Sequence, residues 1–419
     1  MNELAIALFG VLAVFVILQT LYVLAFVSSM NLPNSKIIED ELLPKAAVIL
    51  SLRGADPFLT NCVQALLHQN YPQYNLHIVV DSQQDPAWNI VNKTIQQARA
   101  IHVQVNPLIA RHNTCSLKGS ALVQAIEALD DSYQVVAFID ADVIAHPNWL
   151  RELVTPLMDE EIGATTGNRW YMPQTRQWGS LVRYLWNTVA VIFMCIHQAP
   201  WGGSMAMRLS VLRQSGLLEI WKQSVSVDVP IYKALQAMGL NVKFVPTVMM
   251  PNREECNLAR CLRFITRQLL VTRLYNPQWP LVVAQVFAST SAVLLTIALL
   301  LIALISGNMG TAISITGGFV CYILAMAVQL VLVEQVVQRV IRARGESTTR
   351  FSALMMVKIL VTIPLTQLVY AVTVVSAILI QKVEWRGISY QIKGPWNIRL
   401  IEYQPYQLSS QSVGNNVSL

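Results

Sequence analysis

Three aspartates lie at or near the ends of short apolar runs, and this placement marks them as candidates for ligand binding or catalysis. Asp81 follows one such run, and Asp140 and Asp142 follow the run 135–139 as Asp-Ala-Asp. Carboxylates at i and i+2 that leave a strand can converge on one hard divalent cation through oxygen ligands. Such a cation neutralises a diphosphate and stabilises it as a leaving group. The alternative is that Asp140 and Asp142 only cap a helix that opens near Pro147, but a position at a strand end favours the cation site.

The segment around these aspartates alternates between strand-like and helical runs. The strand-like runs are 46–52, 76–80, 101–105 and 135–139, and the helical runs are 57–69, 86–100 and 120–129. This alternation predicts an α/β domain with a mostly parallel sheet and helices on both faces. In such sheets the ligand binds beyond the carboxyl ends of the strands, where the aspartates lie.

Composition indicates that the chain is not an ordinary soluble protein. Of its 419 residues, 54% are hydrophobic and only 13% are charged, whereas soluble domains carry roughly 25% charged residues. The net charge of +6 comes without a long basic run, which argues against nucleic-acid binding and suits a protein beside an anionic membrane face. The six cysteines contain no C-x-x-C pair, which argues against a zinc site or a disulfide framework.

Four stretches are apolar over about the 20 residues that a membrane-spanning helix needs. They cover residues 4–27, 281–305, 311–333 and 359–380. The predicted organisation is therefore one N-terminal anchor, a soluble domain and about three C-terminal transmembrane helices. The corresponding ranges are 1–30 for the anchor, 44–278 for the domain, 279–381 for the helices and 382–419 for a tail.

The positive-inside rule gives an orientation. The hairpin 307–310 carries no charge and is expected outside, whereas the next loop contains Arg339, Arg342, Arg344 and Arg350 and is expected in the cytosol. The α/β domain is then cytosolic and the tail is outside, although the tail contains four basic residues, Lys382, Arg386, Lys393 and Arg399. The alternative is that one span is re-entrant.

One apolar run lies inside the predicted soluble domain, at residues 189–196. Eight residues are too few to span a bilayer. The run is either a buried core helix or an interfacial segment through which a lipid head group enters. Aromatic residues nearby would suit a membrane-interface belt, and they are Trp170, Tyr171, Trp178 and Trp186.

Several sequence blocks together resemble a known family. They are Leu52-Arg53-Gly54-Ala55-Asp56-Pro57, Gln69-Asn70-Tyr71-Pro72, Asp81-Ser82 with Asp85-Pro86, Lys118, Asp140-Ala141-Asp142, Thr166-Gly167, Trp201 to Met207, and Trp385-Arg386-Gly387-Ile388-Ser389-Tyr390. In this order and spacing they resemble family 2 inverting glycosyltransferases of the A-type fold, within the ceramide glucosyltransferase-like branch. The resemblance covers roughly residues 44–278 and extends to the flanking spans.

The resemblance implies a role for each matching position. Asp81 would hold the nucleotide base, Lys118 would lie near the nucleotide, and Asp140 would contact the ribose or the metal. Asp142 would ligate the metal, Mn²⁺ or Mg²⁺. Asp228 would be the general base that takes the proton of the acceptor hydroxyl as its oxygen attacks the anomeric carbon. Asp228 also precedes Pro230, a good place for a helix N-cap, and both roles are compatible.

The chain departs from the family pattern at two places. The family has Glu-Asp where this chain has Val227-Asp228, and it has Q-x-x-R-W where residues 264–268 keep only the arginine, Arg267. The missing tryptophan weakens a processive polysaccharide-synthase interpretation and leaves the acceptor open. Trp201, Gly203 and Arg267 are the expected contacts to the acceptor or to phosphate.

These observations predict a membrane-bound hexosyltransferase that takes a nucleotide sugar, expected to be a UDP-hexose, and a lipid acceptor. Within enzymes the alternative is transfer to a polyprenyl phosphate or a polysaccharide. From another class, the chain could be a catalytically silent membrane scaffold or a transporter. A transporter would carry ionisable residues within its spans and internal repeats, and a silent scaffold would have no reason to keep Asp140, Asp142 and Asp228 together.

Overall fold

A computed structural model of the chain describes residues 2–30 and 38–406, which divide into two compact units. Within the described residues, the helical unit comprises 2–30, Tyr171–Ile196 and Arg253–Leu379. The α/β unit comprises 38–170, His197–Asn252 and 380–406. The last part of the predicted tail, residues 407–419, lies outside the described residues.

The central sheet of the α/β unit has seven strands. They are β1 (Ala46–Leu52), β2 (Tyr74–Val80), β3 (Val103–Pro107), β4 (Val135–Ile139), β5 (Ile162–Tyr171), β6 (Ser204–Arg208) and β7 (Asn241–Asn252), in the spatial order β3-β2-β1-β4-β6-β5-β7. The first four strands in this order pair in parallel, whereas β6 is antiparallel to both β4 and β5. The prediction of a mostly parallel α/β sheet is therefore confirmed.

Among the described residues, side chains cap three of the α-helices of the α/β unit, whereas the N-cap residues of the other four make no side-chain capping bond. The α-helices of this unit are α2 (Leu59–Leu67), α3 (Pro86–Ala98), α4 (Leu117–Glu127), α5 (Trp149–Val154), α7 (Leu209–Gln214), α8 (Leu217–Trp221) and α9 (Val229–Ala237). The Asp85 side chain accepts from the Ala87 N–H at the start of α3, and Ser116 accepts from Gly119 N–H at the start of α4. Such caps satisfy N–H groups that have no partner within the helix. Helix α4 packs on β1 and β2 and carries Lys118.

The tail forms a second, three-stranded antiparallel sheet in the α/β unit. Its strands are β8 (Lys382–Trp385), β9 (Ile388–Gly394) and β10 (Asn397–Tyr403). Leu400 N–H donates to the Asn113 carbonyl at 2.7 Å, and Leu117 N–H donates to the Tyr390 hydroxyl at 3.0 Å. Because open sheet edges do not lie in hydrocarbon, a body held by these bonds lies on one side of a membrane. The structure groups the tail with the α/β unit, so we expect both on the same side of a membrane, as the alternative of a re-entrant span allows.

Among the residues that the structure describes, five helices of the helical unit are long and apolar enough to span a membrane, one more than the sequence predicted. They are α1 (Asn2–Ser29), α6 (Trp178–Ile196), α11 (Trp279–Ile305), α12 (Met309–Ala343) and α13 (Ala353–Leu379), and α10 (Leu258–Tyr275) joins them in this unit. The run 189–196 is the end of α6, whose 19 residues make it long enough to count among the five. The polar first half of α6 concealed its length.

Helices α6 and α10 belong to the helical unit and not to the soluble domain to which the sequence analysis assigned them. Both lie within the predicted range 44–278, but the structure groups them with the long apolar helices. Helix α6 packs on α10 and α13. A buried ion pair also ties α6 to the segment before α10, with Arg183 Nη1 3.2 Å from Glu254 Oε2.

Candidate active site

The carboxyl edge of the parallel strands gathers the predicted donor-side residues. Strand β1 lies between β2 and β4 and is parallel to both. Asp81 directly follows β2, and Asp140 directly follows β4. Neighbouring strands lie about 4.8 Å apart, so the two aspartates emerge roughly 10 Å apart. That separation suits a ligand the size of a nucleoside diphosphate.

Lys118 faces Asp140 across this edge. Its Nζ donates to Asp140 Oδ1 and, at 3.2 Å, to the carbonyl oxygen of Gly202. Lys118 is the second residue of α4, and its side chain is 28% exposed, so it is not simply a solvated start of a helix. The capping alternative for the two aspartates also fails, because the N-cap position of α5 is occupied by Asn148.

Asp142 lies beside a second positively charged side chain, that of Arg169. Arg169 on β5 places Nη1 4.0 Å from Asp142 Oδ2, and its guanidinium carbon lies 5.4 Å from the centroid of the Trp201 ring. Behind the Asp-Ala-Asp segment, the buried Cys62 thiol donates to the Asp140 carbonyl at 3.8 Å. Burial raises the pKa of Cys62, and the charges of Asp142 and Asp140 add to that shift. Cys62 is therefore a protonated packing residue.

A glycine turn joins the Asp-Ala-Asp segment to Asp228. Asp140 N–H donates to the Gly203 carbonyl at 3.2 Å, and Gly202 N–H donates to Asp228 Oδ2 at 3.1 Å. A Cβ atom on Gly203 would lie 2.2 Å from the Trp201 ring and 2.7 Å from Asp140 Oδ2. Only glycine fits at this position, because Trp201 is itself buried.

Asp228 occupies the helix N-cap position that its sequence suggested. It is the N-cap residue of α9, where Oδ1 accepts from Val229 N–H at 2.9 Å. The same oxygen accepts from the Ser226 hydroxyl at 2.5 Å, and Oδ2 faces Gly202. The carboxylate is half-buried. It is thus held in one orientation and still reachable by a substrate.

Asp81 lies in a dense polar cluster at the end of β2. It is 4% exposed, and its Oδ2 accepts from Arg53 and, at 2.9 Å, from the Tyr403 hydroxyl of β10. Arg111 adds a longer contact, with Nε 3.4 Å from Asp81 Oδ1. Sequence reasoning assigned no role to Arg53, Arg111 or Tyr403, and the contact with Tyr403 joins residues 322 positions apart.

The remaining predicted contacts divide between the two units. Trp201 and Gly203 belong to the turn beside Asp140, and Trp201 N–H donates to Thr166 Oγ1 at 2.9 Å. Arg267 lies on α10 in the helical unit. The α/β unit therefore brings together every predicted site residue except Arg267.

Asp140 and Asp142 fit a divalent cation by their chemistry. Among the described residues, no group of three or more histidines, cysteines or acidic residues could hold a metal. Mg²⁺ and related cations, however, commonly use one or two carboxylates together with substrate phosphates. The Asp140 and Asp142 side chains are 30% and 19% exposed, so both can be reached by such a complex.

Comparisons with known proteins agree with this geometry. The family model described as glycosyl transferase family 21 matches residues 5–397. Ceramide glucosyltransferase of Pyricularia oryzae is 32% identical over 72 residues, which is 17% of this chain and 15% of that protein. Ceramide glucosyltransferase of Candida albicans is 32% identical over 69 residues, 16% of this chain and 13% of that protein. The aligned segment thus spans about a seventh of each relative's length.

A solved structure shares the fold. The mannosyltransferase PcManGT from Pyrobaculum calidifontis, in complex with GDP-Man and Mn²⁺, aligns with a TM-score of 0.52. The alignment covers 78% of this chain and 97% of that chain at 16% identity. The predicted glycosyltransferase fold is confirmed by this match. Since the family model covers nearly the whole sequence, the chain is a glycosyltransferase that belongs to glycosyl transferase family 21.

Proposed function

We propose that the chain transfers a hexose from a nucleotide sugar, a UDP-hexose, to a lipid acceptor with inversion at the anomeric carbon. The observation that carries this proposal is the glycine turn, which hydrogen bonds to Asp140 through Gly203 and to Asp228 through Gly202. One turn thereby links the donor-side carboxylate to a carboxylate suited to act as the base.

In this mechanism Asp81 holds the base of the nucleotide, and Lys118 lies beside the diphosphate. Asp140 and Asp142 would hold a Mn²⁺ or Mg²⁺ ion, which supplies charge neutralisation of the diphosphate when bound. The Mn²⁺ in the mannosyltransferase complex supports this assignment. Lys118, already hydrogen bonded to Asp140, adds a fixed positive charge on the same side.

Asp228 is the proposed general base. Its carboxylate takes the proton of the acceptor hydroxyl while that oxygen forms a bond to the anomeric carbon and the bond to the diphosphate oxygen breaks. Attack opposite the leaving group inverts the carbon. Ser226 and Gly202 N–H hold the carboxylate in place during this step.

Two observations support a lipid acceptor. The two relatives reported above are named ceramide glucosyltransferases, and the part of the chain that the structure describes has five helices apolar enough to span a membrane. We place the α/β unit in the cytosol, because the arginines between α12 and α13 and the basic tail favour that side.

The proposal is tested with membranes from cells that express the chain. They are incubated with a panel of labelled nucleotide sugars, among them UDP-glucose, UDP-galactose and GDP-mannose, and the lipid extract is counted. Label from a UDP-hexose should enter the lipid fraction. Label that enters only polymer would identify a polysaccharide as the acceptor. Label that enters only an acid-labile product would identify a polyprenyl phosphate as the acceptor. An absence of transfer from every donor would contradict the proposal.

A further inference from the structure

The C-terminal tail is anchored where β1 and β2 end. Arg386 forms an ion pair with Asp56 and donates to the Arg53 carbonyl, while Arg53 Nη2 donates to the Arg386 carbonyl at 2.7 Å. Farther along the tail, the Tyr406 ring covers Gly54, where an added Cβ would lie 2.6 Å from the ring. These contacts involve the loop that follows β1, on the donor side of the α/β unit.

Tyr403 of this tail reaches the carboxylate assigned to the nucleotide base. Its hydroxyl donates to Asp81 Oδ2 at 2.9 Å and accepts from Arg111 Nη2 at 3.1 Å. The Arg111 guanidinium carbon lies 4.2 Å from the centroid of the Tyr403 ring. Burial, followed by the bond to Asp81, raises the pKa of Tyr403, so the hydroxyl stays protonated and remains a donor.

These donors leave the two oxygens of Asp81 unequal. Oδ2 accepts from both Arg53 and Tyr403, whereas Oδ1 receives only the 3.4 Å contact with Arg111 among the bonds described. A carboxylate fixed in this way presents one oxygen, in one direction, to an N–H group of a ligand. Because the side chain is only 2% exposed, it cannot rotate freely to present the other oxygen.

We propose that Tyr403 is a positioning residue for nucleotide recognition, which acts through Asp81 by fixing the orientation of its carboxylate. This inference rests on the proposed function, because it requires Asp81 to meet the base. The tail is then part of the donor site. Its anchoring by Arg386 is what brings Tyr403 to the end of β2.

The test compares the full-length parent with Tyr403→Phe, both purified in detergent micelles with Mn²⁺ present. The variant keeps the ring and loses only the hydroxyl. The affinity for UDP should weaken by roughly 3- to 10-fold, the equivalent of one hydrogen bond. The affinity for inorganic pyrophosphate, which has no base, should be unchanged. The donor KM should rise while kcat stays close to the parent value.

Tyr133→Phe is the matched control. The Tyr133 hydroxyl donates to Asn75 at 3.1 Å, near the amino end of β2 and away from Asp81. This control should leave affinities for both UDP and pyrophosphate at parent values. Thermal unfolding of each variant shows whether folding is retained.

Each other result overturns the inference. Unchanged UDP affinity in Tyr403→Phe would make the tail a packing element only. Tighter UDP binding would mean that the Tyr403 hydroxyl competes with the base. Equal weakening for UDP and pyrophosphate would indicate a general disturbance of the site. If the parent protein binds no nucleotide and transfers no sugar, the proposed function itself is wrong. That result differs from one in which the parent binds UDP and Tyr403→Phe binds it equally well, which contradicts only the role of Tyr403.

Discussion

Gly203 is the residue at which the two carboxylate centres of the α/β unit meet. Its carbonyl accepts from Asp140 N–H, and its neighbour Gly202 donates to Asp228. A side chain at Gly203 would overlap the buried Trp201 ring and approach Asp140 Oδ2. The absence of a Cβ is therefore required for the turn to connect the two centres.

Gly203→Ala should damage both stability and catalysis. Overpacking of this kind costs about 1–3 kcal/mol, and a displaced turn should lower sugar transfer on the order of 10²-fold. Gly202→Ala is the graded control, since its Cβ would lie 3.3 Å from Asp228 Cβ and should cause a smaller loss. Thermal unfolding and lipid labelling measure the two effects. A Gly203→Ala variant as active as the parent would show that the turn does not position the site.

Asp140 and Asp142 predict a dependence on divalent cations. Excess chelator should abolish transfer, because the diphosphate would lose its main counter-charge, and Mn²⁺ or Mg²⁺ should restore it. The measurement is label in the lipid extract across a titration of each cation. Full activity in excess chelator would show that Asp140 and Asp142 do not act by binding a metal. Lys118 and Arg169 would then supply the positive charge beside the diphosphate.

Site residues that are recognisable from their immediate sequence neighbours could be predicted. Site residues that depend on contacts with distant parts of the chain could not. The Asp-Ala-Asp segment follows an apolar strand, and Asp228 precedes a proline that starts a helix; the structure places both as expected. Tyr403 and Arg111 lie in no recognisable pattern. Their part in the Asp81 cluster depends on the folding of the tail, and a single sequence contains no signal for that.

At the scale of elements, the four strands of the parallel part of the sheet were predicted, whereas the full length of α6 was not. The run 135–139 is β4, because five buried apolar residues in succession suit a strand with both faces covered. Helix α6 was missed because its first half contains polar residues that are buried in the structure, such as Ser180, Arg183 and Asn187. Hydropathy alone therefore detected only its last eight residues.

The small tail sheet was not predicted as an element. Its strands contain charged and polar residues at exposed positions, as in Lys382, Gln391 and Arg399, and no continuous apolar run distinguishes them. Only the block Trp385 to Tyr390 pointed to a family feature. In the structure this block contains the turn at Arg386 and Gly387, whose φ values are 48° and 76°. Glycine adopts such values without strain.

At the scale of the whole molecule, the chain path limits the membrane topology. The chain leaves the α/β unit after Asn252 and returns to it at residue 380, so the crossings between these points must be even in number. Three long apolar helices lie between them. Ser347 accepts from Arg253, the residue next to Asn252, so we expect the loop before α13 to lie on the same side of the membrane as the point where the chain leaves the α/β unit. We therefore expect α11 and α12 to form a crossing pair and α13 not to cross.

Labelling with a membrane-impermeant maleimide tests this topology in intact cells. Single cysteines are placed by Asn308→Cys, Ser347→Cys and Lys393→Cys in a chain that carries Cys321→Ser, which removes the one exposed native cysteine among the described residues. Only the Asn308 position should be labelled before the membrane is permeabilised. Labelling at Lys393 in intact cells would contradict the placement of the tail with the α/β unit, and labelling at Ser347 would reverse the orientation.

The central claim, sugar transfer with Asp228 as the base, is tested most directly by Asp228→Asn. Asparagine caps helices about as well as aspartate, so α9 should persist, although its amide nitrogen cannot accept from Gly202 N–H. Nucleotide affinity should therefore stay near the parent value, while turnover falls by a factor on the order of 10²–10⁴. Asp142→Asn should instead weaken metal-dependent nucleotide binding as well as turnover. If Asp228→Asn transfers sugar to lipid at near the parent rate, Asp228 is only a helix cap and the mechanism is contradicted.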